Sequence, residues 1–352
     1  NFFLYFLLIP IIFSFLQSKS IFELKYIASK RYQQKQKLII KHQKIYHSNT
    51  DILINGIYAR SMNLPLIENG IHVTECLFSN CLNANNNGGA ICCSKVDCPS
   101  NKPVVQIESS TFHECYTFLH DSKGGSLYIQ GYTIFTHNNC FSTCSSTLGV
   151  FCYFDVQPTF VCQINQSTFH TNAKPGIGRG TLVVCSEYMQ LLDNNFSSIH
   201  IGNDGSGLIS TVSYEYCISR NIFQNCEGKS TIFIDINPIN SIFQLLNFID
   251  NTEHGNGIIL IPNNYMFSKC SFHNSGPILV NCQKGKTYIY QCVFDSSLQS
   301  SNSIFKGSVK NEKPSWNNDA KIRFGIKQGS NTEYCQQNSN GKVEDVFTPT
   351  RT

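Results

Sequence analysis

The chain has 352 residues, of which 14% are charged, and its formal net charge is +4, from 27 Lys and Arg against 23 Asp and Glu. So mild a charge argues against a nucleic-acid binder, as does the crowding of the basic residues near the N-terminus. The 26 Phe, the 16 Tyr and a hydrophobic share of 41% argue against disorder. The length would allow two or three domains, but the repeats described below predict one elongated body.

The N-terminal segment has the features of a secretory signal. Residues 1–16 (NFFLYFLLIPIIFSFL) are almost wholly apolar, and Ser18 and Ser20 supply the small residues of a cleavage site. The run is short for a membrane span. We therefore predict a signal peptide over residues 1–20, with a truncated start because Met and a basic region are missing; an N-terminal membrane anchor is the alternative. Residues 21–50 are basic and Gln-rich, which predicts a linker or an N-terminal cap.

A repeated unit begins near residue 51. Each unit has a phenylalanine with a small or polar residue usually two positions before it and often Cys or Asn three after it. By subtraction, successive anchors are separated by 34 residues at first and by 22 at the end. Repeats of this length are typical of a solenoid. The anchors are Phe78, Phe112, Phe141, Phe169, Phe196, Phe223, Phe248, Phe272 and Phe294.

Short apolar runs between the anchors predict strands. They are rich in β-branched and aromatic residues, and Gly, Asn and Ser turns bound them. Two or three strands per coil of about 25 residues predict an all-β fold, a parallel β-helix over residues 51–309. Residues 310–352 are predicted to form a C-terminal cap and the start of a stalk. The predicted strands include 89–92, 104–107, 126–129, 181–184, 231–234, 257–261, 277–280 and 288–290.

Equivalent residues of successive coils should stack about 4.8 Å apart. The phenylalanines would then fill the interior, buried Asn side chains would bond along the axis, and Gly would turn the corners. Seventeen Cys are many for a cytosolic protein. We expect most of them to be small buried hydrophobes, with Cys93 and Cys98 as candidates for a disulfide. No Cys-x-x-Cys pair occurs, so no metal or cofactor is expected.

Two sequence elements resemble a known repeat. Gly88-Gly-Ala-Ile91 and Phe248-Ile-Asp-Asn251 match the paired elements of the chlamydial-type polymorphic outer membrane protein repeat, with Cys replacing the Asn in several coils. The chain looks like the Cys-rich version found among surface proteins of parasitic protists. This resemblance, over residues 66–305, implies a right-handed β-helix at the cell surface that adheres to host or neighbouring cells. The implied partner is a host-cell or extracellular-matrix ligand, for example a glycan, and no nucleic acid is expected.

Other functions stay open at this point. Many β-helices cleave polysaccharides with converging carboxylates, so a polysaccharide lyase or glycoside hydrolase is the alternative to adhesion. Its catalytic candidates are Asp204, Asp235, Asp250, Glu253 and His254, although Asp of this kind commonly stabilises turns. An immune-variable coat without a specific ligand is a third possibility. Membrane association is expected only through an uncleaved N-terminus or a segment outside this chain.

Two sequons add a candidate modification. Asn165-Gln-Ser167 and Asn195-Phe-Ser197 fit the acceptor pattern for N-glycosylation, and either could carry a glycan in a secreted protein. Asn195 directly precedes an anchoring phenylalanine, so its side chain is expected to point away from the core. The predicted location is extracellular or at the cell surface, through the secretory pathway.

Overall fold

The computed structural model describes residues 44–47, 51–64, 70–84, 86–94, 103–117, 121–156, 160–170, 178–201, 205–210, 215–234, 240–262, 265–276, 278–294, 305–312 and 315–316. These residues belong to one compact unit that begins at His42. The predicted signal peptide and most of the predicted linker and C-terminal cap lie outside the described residues. Every regular element in the described ranges is a strand, and none of their segments is a helix able to cross a membrane.

The strands are short and follow one another closely. In chain order they are β1 (Lys44–His47), β2 (Asp51–Tyr58), β3 (Met62–Leu64), β4 (Gly70–Ser79), β5 (Leu82–Asn83), β6 (Ile91–Ser94), β7 (Val104–Glu108), β8 (Thr111–His113), β9 (Tyr116–Thr117), β10 (Leu127–Gln130), β11 (Thr133–His137), β12 (Cys140–Ser142), β13 (Cys152–Asp155), β14 (Val161–Asn165), β15 (Thr168–His170), β16 (Leu182–Cys185), β17 (Tyr188–Leu192), β18 (Asn195–Ser197), β19 (Gly205–Ser210), β20 (Glu215–Ser219), β21 (Ile222–Gln224), β22 (Glu227–Gly228), β23 (Ser230–Ile234), β24 (Asn240–Gln244), β25 (Asn247–Ile249), β26 (Thr252–Glu253), β27 (Ile259–Ile261), β28 (Tyr265–Ser268), β29 (Ser271–His273), β30 (Val280–Tyr290), β31 (Val293–Phe294), β32 (Phe305–Glu312) and β33 (Ser315–Trp316).

The strands stack into three parallel sheets that share one core, so the chain is a parallel β-helix, as the repeats predicted. The first sheet runs through β3, β6, β10, β13, β16, β19, β23 and β27 to the start of β30. The second runs from β2 through β4, β7, β11, β14, β17, β20, β24 and β28 to the end of β30. The third runs from the end of β4 through β8, β12, β15, β18, β21, β25, β29 and β31 to β33.

One strand pairing departs from this parallel pattern. β1 pairs antiparallel with β2, so Lys44–His47 covers the edge of the second sheet. An uncovered edge would present unpaired backbone N–H and C=O groups to other chains. This strand lies within residues 21–50, for which the sequence predicted a linker or an N-terminal cap.

The predicted phenylalanine ladder fills the core beneath the third sheet. All nine rings are at most 1% exposed. Neighbouring rings lie 4.7–5.4 Å apart with planes within 10° of parallel. Tyr58 extends the ladder, because its ring stacks on Phe78 at 4.9 Å. The spacing equals the distance between strands, so each coil can bury its own aromatic ring on that of its neighbour.

Two corners of each coil require a left-handed backbone. Among the described residues, positive φ occurs at sixteen positions other than glycine, and these form two columns, one three residues before each anchoring phenylalanine and one two residues after it. The glycines take a third corner: Gly88, Gly124, Gly149 and Gly180 have φ of 66–70° before strands of the first sheet. A Cβ at Gly125 would lie only 2.0 Å from the carbonyl oxygen of Val150 in the next coil. Glycine is therefore required there by close approach of the coils.

Buried asparagines bond along the axis as predicted. Asn194 is fully buried, and its Nδ2 donates to the carbonyl oxygen of Ile164 in the preceding coil at 2.9 Å. Its Oδ1 accepts from the backbone N–H of Ser167 at 2.9 Å. Asn251 repeats this pattern at the position after the phenylalanine, where it donates to the carbonyl of Phe223 at 2.8 Å. These amides satisfy backbone groups that the corners leave without strand partners.

Cysteines occupy the same positions and reach the same backbone groups. Cys226 Sγ donates to the carbonyl of Phe196 at 3.6 Å, which matches the bond from Asn251 to Phe223. Burial raises the pKa of Cys226 to about 12, although a backbone hydrogen bond from Ile199 acts against this rise. The thiol therefore serves as a neutral donor, and Cys can replace Asn in the repeat because both side chains bond the preceding coil.

The structure corrects one prediction about the cysteines. Cys93 is buried and is not disulfide-bonded, so its predicted pairing with Cys98 is wrong. Its side chain points into the core from β6, one of the strands whose burial alternates. Fourteen of the described cysteines are free thiols, and eleven of these are buried, in agreement with the expectation that most cysteines are small core residues. Cys140 is disulfide-bonded.

The equivalence of Cys and Asn can be tested at Cys226. We expect Cys226→Asn to change the free energy of unfolding by less than about 1 kcal/mol, because the amide can bond both Phe196 and Ile199. Cys226→Val should cost about 1–3 kcal/mol, because the same buried backbone groups lose their partner. Urea denaturation of the two variants measures the difference. Equal losses in both variants would mean that volume, not hydrogen bonding, decides this position.

Candidate functional site

The structure gives the described catalytic candidates structural partners. Asp250 occupies a corner with φ of 52°, and its Oδ1 accepts from Asn274 Nδ2 at 2.8 Å. Glu253 is buried, and its Oε2 accepts from the backbone N–H groups of Gly255 and Gly257. Glu253 therefore stabilises its own turn, which is the role expected of such carboxylates, whereas the Asp250 carboxylate joins its corner to Asn274 of the next coil. Asp204 and Asp235 lie outside the described residues.

His254 belongs to a cluster that the sequence did not predict. Glu227 lies between two imidazoles from the neighbouring coils: His200 Nδ1 is 2.9 Å from Oε2, and His254 Nε2 is 2.9 Å from Oε1. A carboxylate can only accept hydrogen bonds, so each imidazole donates. The contacts with His254 and His200 lower the pKa of Glu227. The three side chains are 29–49% exposed, so the cluster joins three coils at the surface.

This cluster should make stability depend on pH. Because the folded pKa of Glu227 is lowered, its carboxylate stabilises the fold above its unfolded pKa of about 4.3 and loses that effect as the pH falls through the folded pKa. Glu227→Gln should therefore lower the melting temperature at neutral pH, where the carboxylate is ionised, and this effect should fade in acid. The loss should be at most about 1 kcal/mol, since the carboxylate is 43% exposed.

Thermal denaturation between pH 3.5 and 8 (roughly the range over which carboxylates and histidines titrate) measures this effect. Asp250→Asn is the matched control, because it removes an exposed carboxylate that contacts an amide and no imidazole. We expect the difference between the wild type and Glu227→Gln to vanish at acid pH. A difference that stays constant over the whole range would contradict the assignment.

The sequon asparagines lie on the outer surface of two sheets. Asn165 ends β14 and Asn195 begins β18, and both are half-buried. The Oδ1 atom of each is buried and has no hydrogen-bond partner in the described chain. N-glycosylation of either residue stays a prediction.

The outer side of the second sheet forms a regular surface in the described coils. Along β14 and β17 these residues alternate with buried ones, and equivalent residues of the two strands are in register. Toward the C-terminal end, Met266 lies beside Tyr288, and Ser268 lies beside Tyr290. We call this surface the outer amide–aromatic face, and its members are Gln163, Gln190, Gln244, Met266, Ser268, Tyr288 and Tyr290.

The exposure of three large side chains distinguishes this face. Met266 is 50% exposed, Tyr288 38% and Tyr290 36%, which places them among the few large hydrophobic residues exposed in the described coils. Charged residues adjoin the face, because Lys310 of β32 is in register with Tyr288 and Glu312 with Tyr290. The sequence had marked 288–290 only as a predicted strand; strict alternation with the buried Thr287 and Ile289 could have shown that both tyrosines point outward.

Comparisons with known proteins identify no relative. No family model matches the chain, and neither a curated protein nor a solved structure matches it significantly. Within the described residues, no group of three or more His, Cys, Asp or Glu side chains is arranged to hold a metal ion.

Proposed function

We propose that this protein is a secreted or cell-surface β-helix that adheres to host or neighbouring cells. The observation that carries this proposal is the outer amide–aromatic face, which exposes Met266, Tyr288 and Tyr290 on a rigid stack of coils. Exposed aromatic side chains on a rigid scaffold are favourable for binding, because little conformational entropy is lost when they are covered.

Features of the sequence support the location and the role. The apolar segment at residues 1–16 is typical of a secreted protein. The paired repeat elements resemble the polymorphic outer membrane protein repeat, whose members are surface proteins with adhesive roles. The fold alone does not determine a function, so the proposal depends on the exposed face together with this resemblance.

The enzyme alternative has lost support at two of its candidate residues. Asp250 accepts a hydrogen bond from Asn274 in the next coil, and Glu253 accepts from backbone N–H groups of its own turn. Their partners, an exposed amide and backbone N–H groups, are those of structural carboxylates.

Cell retention of the purified full chain tests the proposal. We expect labelled protein to bind cultured host cells saturably and to be displaced by an excess of unlabelled protein. The same preparation should release no new chain ends from a panel of polysaccharides. Product release that disappears in Asp204→Asn or Asp250→Asn would overturn the proposal in favour of a hydrolase or lyase, and the absence of saturable retention would overturn it in favour of a coat without a ligand.

A further inference from the structure

The side chains of the two sequon asparagines have the same orientation. Asn165 and Asn195 are half-buried, and the Oδ1 atom is the buried part of each amide. Neither Nδ2 atom forms a hydrogen bond within the described chain, and neither is among its buried polar atoms that lack a partner. The Nδ2 side of each amide therefore faces solvent. Nδ2 is the atom to which the sugar of an N-linked glycan is attached.

We propose that Asn165 and Asn195 both carry an N-linked glycan, attached before the coils close. This inference rests on the secretory location in the proposed function and adds a modified surface to it. In the transfer, Nδ2 attacks the anomeric carbon of a lipid-linked oligosaccharide diphosphate. An N–C bond forms, the C–O bond to the diphosphate breaks, and the proton lost from Nδ2 passes to the released diphosphate.

The serine of each sequon indicates when the modification takes place. The acceptor pattern includes the serine hydroxyl, so the transferring enzyme must reach both residues of the sequon. Ser167 is 1% exposed, and its Oγ donates to the carbonyl oxygen of Asn165 at 3.1 Å and accepts from the backbone N–H of Asn139 at 3.4 Å. Ser197 Oγ lies 3.1 Å from Nδ1 of His170. Both hydroxyls are engaged in the stacked coils, so the complete acceptor is accessible only before the chain folds.

The folded chain has room for both glycans on one ridge. Asn165 ends β14 and is in register with Leu192 of β17, and Asn195 follows Leu192 by three residues, beyond the corner. The two asparagines are therefore on the order of 10 Å apart, on either side of the corner between the second and third sheets. Because neither Nδ2 atom donates a hydrogen bond to the described coils, attachment of a sugar removes none of their contacts.

Mass spectrometry of the full chain, secreted by a eukaryotic cell line behind a cleavable leader, tests the modification. We expect the peptides that contain Asn165 and Asn195 to carry glycans, and a peptide N-glycosidase to convert each of these residues to Asp. Asn165→Gln and Asn195→Gln should each lose one glycan, whereas Ser197→Thr should keep both, because the hydroxyl remains. Asn247 is the internal control, since it occupies the position of Asn195 two coils further on but has Ile249 where a sequon needs a hydroxyl.

A second experiment tests the order of events. The full chain made in bacteria, without glycan, is given to a purified oligosaccharyltransferase with a lipid-linked donor, either folded or as proteolytic peptides. We expect transfer to Asn165 to be at least about tenfold slower in the folded chain, since the coil must open first. Equal rates would overturn the order of events, and a secreted chain that lacks a glycan at one or both sequons would overturn the modification. Saturable cell retention of the same bacterial protein is measured separately, and its absence would refute the proposed adhesion without affecting this inference.

Discussion

Phe169→Ala should be among the most destabilising single substitutions in this chain, with an expected loss of about 3–5 kcal/mol. The ring is 1% exposed and stacks on Phe141 at 4.9 Å and on Phe196 at 4.7 Å. It also contacts Phe151 edge to face at 6.0 Å. The cavity cannot close, because the strands on both sides hold the neighbouring rings at the coil spacing. Urea denaturation followed by far-UV circular dichroism measures the loss.

Two further variants serve as controls for Phe169→Ala. Phe169→Leu should lose less than the Ala variant, because much of the volume remains. Tyr290→Ala, which truncates an exposed ring on the outer face, should change the free energy of unfolding by about 0.5 kcal/mol or less. If Phe169→Ala were as mild as Tyr290→Ala, the ladder would not be the core of the fold. A solenoid can also unfold in parts, so a broadened transition is an expected sign of local loss around this coil.

Gly125→Ala is the second substitution with a large expected effect. A methyl group at this position would lie 2.0 Å from the carbonyl oxygen of Val150 and 2.8 Å from the backbone nitrogen of Ser145. Both contacts are with backbone atoms of the next coil, so no flexible side chain can move aside. Separating the coils would break the bond from Gly125 N–H to the carbonyl oxygen of Gly149, at 3.1 Å. We expect a loss of more than about 3 kcal/mol, or failure to fold.

Gly255→Ala is the comparison for Gly125→Ala. Gly255 has φ of 120°, but a Cβ there would meet no atom within 4 Å. Its substitution should cost about 1–3 kcal/mol through backbone strain alone. Soluble yield and melting temperature of the two variants measure the difference, which isolates the contribution of contact between coils. A loss at Gly125 no larger than that at Gly255 would contradict the argument from close approach of the coils.

Much of the core could be predicted from the sequence because it depends on how regularly the phenylalanines recur along the chain. A phenylalanine that recurs with strand-forming runs between its copies can be buried in only one way, by stacking coil on coil. The exact strand limits were less predictable. The run predicted at 126–129 begins one residue later in β10, at Leu127, since the chain is still leaving the Gly124 corner.

The corners could not be predicted in the same way. Leu245, Lys269 and Gln291 have positive φ of 50–54°, although none of these residue types favours that conformation. Backbone bonds to the next coil hold them there: the N–H of Leu245 donates to Ser268, and that of Lys269 donates to Tyr290. The neighbouring coil, not the local sequence, therefore decides the turn.

The candidate site also has features that the sequence predicts and features that only the tertiary structure decides. The sequence by itself determined the ladder of aromatic rings, the interchange of Asn and Cys and the solenoid, because each follows from residues that repeat at a fixed position. Only the tertiary structure placed Glu227 between His200 and His254, which are 27 residues away on either side. It also brought Met266 beside Tyr288 across two strands. Such neighbours depend on the length of each intervening coil, which varies, and their register is fixed only when the coils stack.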